Sequence, residues 1–362
     1  MNIADKVKSH EVRAEFLYDR KELFHGYTDR TLYINISDKR IEPKNVPAKM
    51  KEKFVGGRGY GLKYLWDAVS PETKWNSPEN EIIIGTGPIC GITQYPGAGK
   101  SLIVSISPLT DIPIDSNVGG HVGPFLKFSG WDALELQGKA DKDVIIVLDG
   151  NAQKVWIIDD YIDTKDAHVL IEELAKEYAP DHDDKKGFSV ICSGSAAENT
   201  RIGMLNFSFW DRKRKVYRVK QAGRGGIGTV LRDKHIKAII VKYDGMGADE
   251  NQVADKDLIR KAGRRINKEI IKFDDEQNRM RQVGTANIIE VMDEYDLLPT
   301  HNFKYGSHPD TKEIESNVFR DNYLTQGVFD GCWLGCTMSC AKAADNFELK
   351  TGPYQGDKVT VD

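Results

Sequence analysis

Short apolar runs recur along the first two thirds of the chain, and they constrain its fold more than any other feature. Each run is three to six residues long and is bounded by Gly, Pro, Asp or Asn, which is typical of β-strands; the runs are 31–36, 82–84, 102–106, 144–148, 155–158, 188–192 and 236–241. After residue 245 the apolar spacing becomes helical, beginning at Leu258. The pattern predicts an α+β chain, with a β-rich N-terminal domain followed by the start of a helical domain.

The predicted domains are a polar N-terminal extension (1–50), a β-rich domain (51–245) and a helical segment (246–362) that ends in a cysteine cluster. We expect a larger domain to continue beyond the chain. The net charge of −4 and the pI of about 6.1 give no basic field for nucleic acid. No apolar stretch is long enough to cross a membrane, and the N-terminus lacks the apolar segment of a secretion signal. We therefore expect a cytoplasmic protein.

The strongest chemical signal is the group Cys332, Cys336 and Cys340, three of only five cysteines in the chain. Three closely spaced thiolates with a distant fourth ligand are a common arrangement for an iron–sulfur cluster, and the same thiols with a His suit zinc. A helix with three core-facing cysteines also has this spacing. Gly331 and Gly335 favour a loop instead, because Gly lowers helix propensity. The fourth ligand would be Cys90, Cys192, solvent or a residue beyond the chain.

Three glycine-bearing turns lie beside cationic or amide side chains: 98–101, 115–121 and 223–228. Gly223–Gly228 matches G-x-G-x-x-G, but 211–218 is too charged for the buried strand that a dinucleotide fold requires. Gly99-Lys100-Ser101 imitates the end of a phosphate-binding P-loop, yet position 94 is Gln and a strand follows. Backbone N–H groups of such turns bind anions. The three turns therefore predict one site for a large anion, provided that they converge.

The order of several short motifs resembles the tungsten-containing aldehyde ferredoxin oxidoreductase family from about Phe54 to Asp362. The motifs are VGGRG (55–59), SPEN (77–80), GTGP (85–88), SPLT (107–110), SNVGG (116–120), LKFSGWD (126–132), AGRGG (222–226), GT (284–285), LP with NF (298–303) and the cysteine cluster. Each motif alone is weak, but the ordered set is specific.

The resemblance implies a tungsten or molybdenum atom held by two pterins, next to a [4Fe–4S] cluster. The β-rich domain would then bind the pterins, and Mg²⁺ between their phosphates is a further expectation. The positions that match cofactor contacts are Lys100, Asn117, Gly119, Lys220, Gln221, Ala222, Gly223 and Arg224. Cys332, Cys336 and Cys340 match the first three cluster ligands. No catalytic residue can be assigned from the sequence.

Two departures from the family pattern matter. The cysteine spacing is C-x3-C-x3-C instead of the usual C-x2-C-x3-C, and Lys100 and Lys220 stand where Arg is common. The family chain normally continues well past this length, so we expect a truncated copy or one half of a split enzyme that is inactive alone. A second chain would then supply the missing half.

The implied function is oxidation of aldehydes to carboxylates, with electrons passing to ferredoxin or to an iron–sulfur partner subunit. One alternative is a low-potential reductase subunit of the benzoyl-CoA reductase type. A zinc-stabilised, non-enzymatic binding module is the other. A radical enzyme that uses S-adenosylmethionine is disfavoured, because its usual C-x3-C-x2-C spacing is absent.

Overall fold

The computed structural model describes residues 3–245, 250–272, 275–322 and 330–361. The predicted domain boundary at 245/246 adjoins residues 246–249, which lie outside the described residues. The chain forms two compact units: unit 1 comprises Met1–Ile92 and Ala98–Lys256, and unit 2 comprises Thr93–Gly97 and Asp257–Asp362. Across the described ranges, no helix is both long enough and apolar enough to cross a membrane.

A seven-stranded sheet forms one half of unit 1. Its strands, in chain order, are β1 (Val12–Leu17), β8 (Val144–Asp149), β9 (Lys154–Asp159), β10 (Phe188–Cys192), β11 (Leu205–Asp211), β12 (Val216–Ala222) and β13 (Ile236–Lys242). The spatial order is β1-β9-β8-β13-β10-β11-β12, and only the β8–β13 pair is parallel. The central strands are continuous apolar runs because both faces of the sheet are covered.

A six-stranded sheet forms the other half of unit 1. It contains β2 (Arg30–Asn35), β3 (Arg40–Asn45), β4 (Ile82–Gly85), β5 (Ser101–Ile106), β6 (Pro113–Val118) and β7 (Ala133–Gln137), in the order β3-β2-β7-β4-β5-β6. One continuous apolar cluster includes Leu134 from this sheet and Ile146 from the seven-stranded sheet. The two sheets of unit 1 therefore share a core.

Seven helices complete unit 1: α1 (Ile3–Val7), α2 (Ala48–Phe54), α3 (Arg58–Ala68), α4 (Val122–Phe128), α5 (Ala167–Tyr178), α6 (His182–Lys186) and α7 (Ile227–Asp233). Asp166 caps α5 by accepting hydrogen bonds from the backbone N–H groups of His168 and Val169. The apolar face of α5 then packs against the seven-stranded sheet.

Unit 2 is mainly helical. It contains α8 (Lys256–Lys272), α9 (Asp275–Val283), α10 (Ile289–Glu294) and α11 (Ser316–Asn322), followed by the hairpin β14 (Ala344–Glu348) and β15 (Lys358–Val361). The segment Thr93–Gly97 packs into this unit: a Cβ on Gly263 of α8 would lie 1.9 Å from the Gln94 oxygen, and a Cβ on Gly335 would lie 2.4 Å from the Thr93 oxygen.

The α+β class expected from the sequence is confirmed. The predicted N-terminal extension contains β1, which pairs with β9, and α1, whose Ile3 and Val7 are buried. The segment 211–218, excluded as a buried strand, contains the end of β11, the turn of the β11–β12 hairpin and the start of the edge strand β12. The dinucleotide fold is still excluded, since β12 is an antiparallel edge strand and α7 has only seven residues.

Two motifs of the family pattern have structural roles. Lys127 and Asp132 form a fully buried ion pair of 2.6 Å, and Asp132 also accepts hydrogen bonds from the Thr28 and Asp29 backbone. The Asn80 side chain joins the Trp75 carbonyl to the backbone of β5. These internal contacts stabilise unit 1.

Candidate functional site

The predicted loops meet at one end of unit 1. Ser101 of β5 pairs with Val118 of β6, so Lys100 and Gly119 lie directly beyond this pair. Leu102 pairs with Asn117. The Lys100 and Asn117 side chains are exposed, whereas Gly119 is buried. Two of the three turns are therefore neighbours because the register of the β5–β6 pair places them together.

The third turn is joined to the second by a hydrogen bond. The Arg224 backbone N–H, two residues after the end of β12, donates to the Ser116 hydroxyl of β6 at 3.2 Å. Gly120 packs beside Phe207 and Phe209 of β11. The three turns predicted from the sequence thus converge within unit 1.

Alternation along β12 separates the predicted contact residues. Gln221 is exposed, Lys220 is half-buried and Ala222 is fully buried in the shared core. Successive side chains of a strand point to opposite faces. The Ala222 side chain therefore serves packing, and this position offers only backbone groups to a ligand.

The glycines of the third turn have two different roles. Gly225 and Gly226 have φ values of +75° and +68°, and Cβ atoms there would lie 2.4 Å from Ile114 and 2.1 Å from the Arg201 oxygen. Glycine is required at both positions by the backbone and by packing. Gly223 is exposed, with only the Met204 sulfur within 4 Å of a Cβ. The accessible part of the turn is consequently Gly223 and Arg224.

Positive charge at this end is only partly neutralised by the described residues. Within the described parts of the chain, neither the Lys100 ammonium nor the exposed Arg224 guanidinium has a carboxylate partner. Arg58, the first residue of α3, pairs with Asp115 of β6 at 2.8 Å and stays about half exposed. Sequence analysis did not assign Arg58 to the site, although it is the Arg of the VGGRG motif.

Two further glycine turns lie at the same end. The Gly57 N–H donates to the Thr86 oxygen at 2.9 Å, and Gly85 of β4 pairs with Leu102 of β5.

His121, the last residue of the second turn, is buried. Desolvation and repulsion from Arg212 lower the pKa of its imidazole to about 4. The imidazole is therefore neutral at physiological pH.

The three clustered cysteines lie in unit 2 on a loop and not on a helix. All are half-buried free thiols. The loop is held by the Arg281 guanidinium, which donates to the Thr337 oxygen, and by Lys342, which donates to the Ser339 oxygen at 2.7 Å. The alternative of a helical cysteine stripe is wrong. Over the described residues, no three or more His, Cys, Asp or Glu side chains are grouped closely enough to hold a metal ion.

The donor chemistry of this loop nevertheless fits a cluster. Three thiols lie within nine residues, and two cations hold the loop backbone. A Cβ atom on Gly331 would lie 3.5 Å from the Cys336 Cβ. A side chain at position 331 would therefore occupy the space beside Cys336.

Unit 1 is thus an α+β domain that presents a candidate anion site on loops at one end of two sheets. The family model described as "Aldehyde ferredoxin oxidoreductase, N-terminal domain" matches residues 31–243. The model "Aldehyde ferredoxin oxidoreductase, domains 2 & 3" matches residues 261–359. The chain belongs to the aldehyde ferredoxin oxidoreductase family, which confirms the resemblance carried by the motifs.

Several curated proteins are similar in sequence to this chain. A "Tungsten-containing aldehyde ferredoxin oxidoreductase" of Pyrococcus horikoshii is 30% identical over 86% of this chain and 48% of its own length. An "Aliphatic sulfonate oxidoreductase, WOR-like subunit" of Pyrococcus furiosus is 26% identical over 92% of this chain and 51% of its own length. The chain therefore spans about half the length of the curated relatives that it matches.

A solved structure shares the fold. It is titled "Active site complex BamBC of Benzoyl Coenzyme A reductase in complex with 1,5 Dienoyl-CoA". The TM-score is 0.63, the identity is 23%, and the match covers 88% of this chain and 47% of that chain.

Proposed function

We propose that this chain is part of a tungsten- or molybdenum-containing bis-pterin oxidoreductase. The observation that carries the proposal is the convergence of three turns that present Lys100, Asn117 and Arg224 without a carboxylate partner for either cation. Exposed cations and free backbone N–H groups suit a phosphorylated cofactor. The names of the curated relatives agree with this cofactor class.

The residues of unit 1 have separate tasks in this proposal. Lys100 and Arg224 bind phosphate oxygens, Asn117 donates its amide, and the Ser116 hydroxyl fixes the turn that carries Arg224. Lys220 and Gln221 extend the contact surface, and Gly119 and Gly223 offer backbone groups. Carbonyl oxygens of the turns suit Mg²⁺. The pterin-bound metal, when present, supplies the two-electron redox chemistry.

Cys332, Cys336 and Cys340 hold a [4Fe–4S] cluster in the same proposal. The thiols are free and half-buried, and the loop that carries them is anchored by two cations. Such a cluster takes four thiolates, so a further ligand completes it.

The proposed reaction is oxidation of an aldehyde to a carboxylate. Water supplies the added oxygen, and two electrons leave. Three protons are released in all, two as the carboxylic acid forms and one as it ionises to the carboxylate. The electrons pass to ferredoxin or to an iron–sulfur partner subunit. The cytoplasmic location expected from the sequence stays a prediction.

The test is cofactor retention. The chain is purified without oxygen from its native host, and tungsten, molybdenum, iron and fluorescent pterin oxidation products are measured per chain. Lys100→Ala/Arg224→Ala should lose most of the pterin and its metal but keep the iron. The matched control Lys49→Ala/Lys213→Ala removes two exposed cations elsewhere in unit 1 and should retain both.

Other outcomes decide among the alternatives. Pterin retained by the Lys100→Ala/Arg224→Ala protein at the parent level contradicts the site. Zinc without iron supports the non-enzymatic module. Dye reduction with aldehydes supports the proposed reaction, whereas dienoyl-CoA formed from benzoyl-CoA under a strong reductant supports the reductase alternative.

A further inference from the structure

One face of α8 carries an unusual concentration of positive charge. Five exposed cations lie on the outer side of this helix: Arg260, Lys261, Arg264, Arg265 and Lys268. A shallow groove of about 620 Å³ runs along them. Arg260, Arg264 and Lys268 follow each other at intervals of four residues, so they form a single stripe. We call these five residues the α8 basic face.

The orientation of α8 within unit 2 is fixed by its other side. Ile270 and Gly263 are buried, and Ile259 and Ile266 are partly buried. The Thr337 hydroxyl donates to the Asn267 side-chain oxygen at 2.6 Å. The buried side of α8 therefore packs within unit 2, and Asn267, at the border of that side, contacts the loop that carries the clustered cysteines. The basic face lies on the exposed side of the helix.

Little of this charge is neutralised. Asp257 lies 4.0 Å from Arg260, and Glu269 lies 3.5 Å from Arg265, with all four side chains more than half exposed. Lys261, Arg264 and Lys268 have no carboxylate partner in the described part of the chain. Like charges four residues apart destabilise a helix. A solvated helix more commonly alternates charges of opposite sign, so this pattern is better explained by an acidic partner.

We propose that the α8 basic face is a docking surface for a small acidic protein that carries electrons. The inference rests on the proposed function, because the cysteine loop gives a reason for an electron carrier to dock there. An α-helix with its side chains is about 10–12 Å across. A carrier seated on the basic face therefore lies about one helix diameter from the loop that Asn267 contacts.

A protein partner fits this surface better than nucleic acid does. The chain as a whole is acidic, with a net charge of −4. Leu258 and Ile271, near the two ends of α8, are 62% and 57% exposed. Protein interfaces combine Arg with apolar side chains, whereas nucleic-acid surfaces are much more polar and basic.

The experiment measures binding of an oxidised bacterial two-cluster ferredoxin, a small acidic probe, by calorimetry at low and at high salt. The Kd of the parent protein should rise with salt concentration. Dissolved ions screen the charges, and the range of electrostatic attraction falls to about 10 Å at 0.1 M salt. Arg260→Glu/Arg264→Glu/Lys268→Glu should raise the Kd at low salt by about tenfold or more and flatten the salt dependence. Arg260→Lys/Arg264→Lys should keep the parent affinity, since the charge is unchanged.

The matched control reverses three charges in the second basic stretch. Arg212, Lys213 and Lys215 lie in the β11–β12 turn of unit 1 and are exposed. Arg212→Glu/Lys213→Glu/Lys215→Glu should bind the ferredoxin like the parent. Circular dichroism and unchanged cysteine alkylation show that α8 and its loop remain folded in each variant.

Each remaining outcome has a defined meaning. Equal ferredoxin affinity of the parent and the α8 charge-reversal variant overturns the docking surface, even if iron and pterin are present. Tighter binding of a duplex DNA oligonucleotide than of ferredoxin also overturns it. A parent protein that lacks iron and pterin but binds ferredoxin through α8 refutes the proposed function and leaves the docking surface intact.

Discussion

Replacement of Glu81 by Gln is expected to remove a pH dependence from the stability of unit 1. Glu81 directly precedes β4, is 2% exposed, and has no hydrogen-bond partner for its Oε2 atom among the described residues. Burial and the nearby Glu135 carboxylate raise the pKa of Glu81 to about 8, against the attraction of Lys44 and Lys234. The carboxyl group is therefore protonated in the folded protein at neutral pH.

The magnitude follows from proton linkage. An ordinary Glu has a pKa of 4.5, so the unfolded chain releases this proton between about pH 4.5 and 8 while the folded chain keeps it. The free energy of unfolding falls with rising pH in this window, by up to about 1.4 kcal/mol per pH unit. Between pH 5 and 7 the loss is about 2.5 kcal/mol. Because Gln cannot ionise, the stability of Glu81→Gln relative to the parent should rise by this amount.

Urea unfolding at pH 5, 6 and 7, followed through the buried Trp131 and Trp156 of unit 1, gives the free energies. Glu79→Gln is the control, because it removes the same charge from an exposed side chain two residues away. The lowered pKa of His121 gives a slope of opposite sign, but it is common to all three proteins and cancels in the differences. A change of less than about 0.5 kcal/mol in the Glu81→Gln difference would refute the reasoning, because a surface substitution produces as much.

Three further predictions test the packing. Lys127→Met should cost about 3–5 kcal/mol of unfolding free energy, because the Asp132 carboxylate stays buried without its cation; thermal denaturation measures the loss, and Lys127→Met/Asp132→Asn should recover part of it. A Gly-to-Ala change inside a helix normally stabilises it by about 1 kcal/mol, but the Cβ of Gly263→Ala would lie 1.9 Å from a backbone oxygen. The substitution should therefore loosen α8, and hydrogen exchange of the α8 backbone amides should become faster. Unchanged exchange rates would contradict the close approach. Burial raises the pKa of both Cys90 and Cys192 to about 12. Iodoacetamide at pH 8 should therefore modify the clustered cysteines of the folded protein and leave these two thiols unmodified. Mass spectrometry that finds Cys90 or Cys192 alkylated as fast as the clustered cysteines would contradict this.

The central strands could be predicted because their apolar runs are continuous, whereas β12 could not. Its Arg218 is 4% exposed, which is unusual for Arg unless the charge is paired. The pairing carboxylate is Asp211 of β11, at 3.2 Å across the hairpin. A charged segment therefore looked unsuitable for a strand until its partner strand was known.

The convergence of the turns depends on long-range contacts that spacing along the chain does not encode. The Ser116–Arg224 hydrogen bond joins residues 108 positions apart: Ser116 lies on β6 of the six-stranded sheet, and Arg224 follows β12 of the seven-stranded sheet. Local chemistry predicted which turns carry suitable donors. It could not separate Gly225 and Gly226, which packing requires, from Gly223, which is open to a ligand.

The segment Thr93–Gly97 has a consequence for how these units can be separated or recombined. It belongs to unit 2, although Ile92 before it and Ala98 after it belong to unit 1. Truncation after Lys256 would leave the segment Thr93–Gly97 without its packing partners, which are α8 and the cysteine loop. A graft of unit 2 onto another scaffold would need three splice points, before Thr93, after Gly97 and before Asp257, and Gly97 lies only three residues before Lys100. A segment of unit 2 is thus inserted in the sequence of unit 1, so neither unit can be exchanged as one continuous piece of chain.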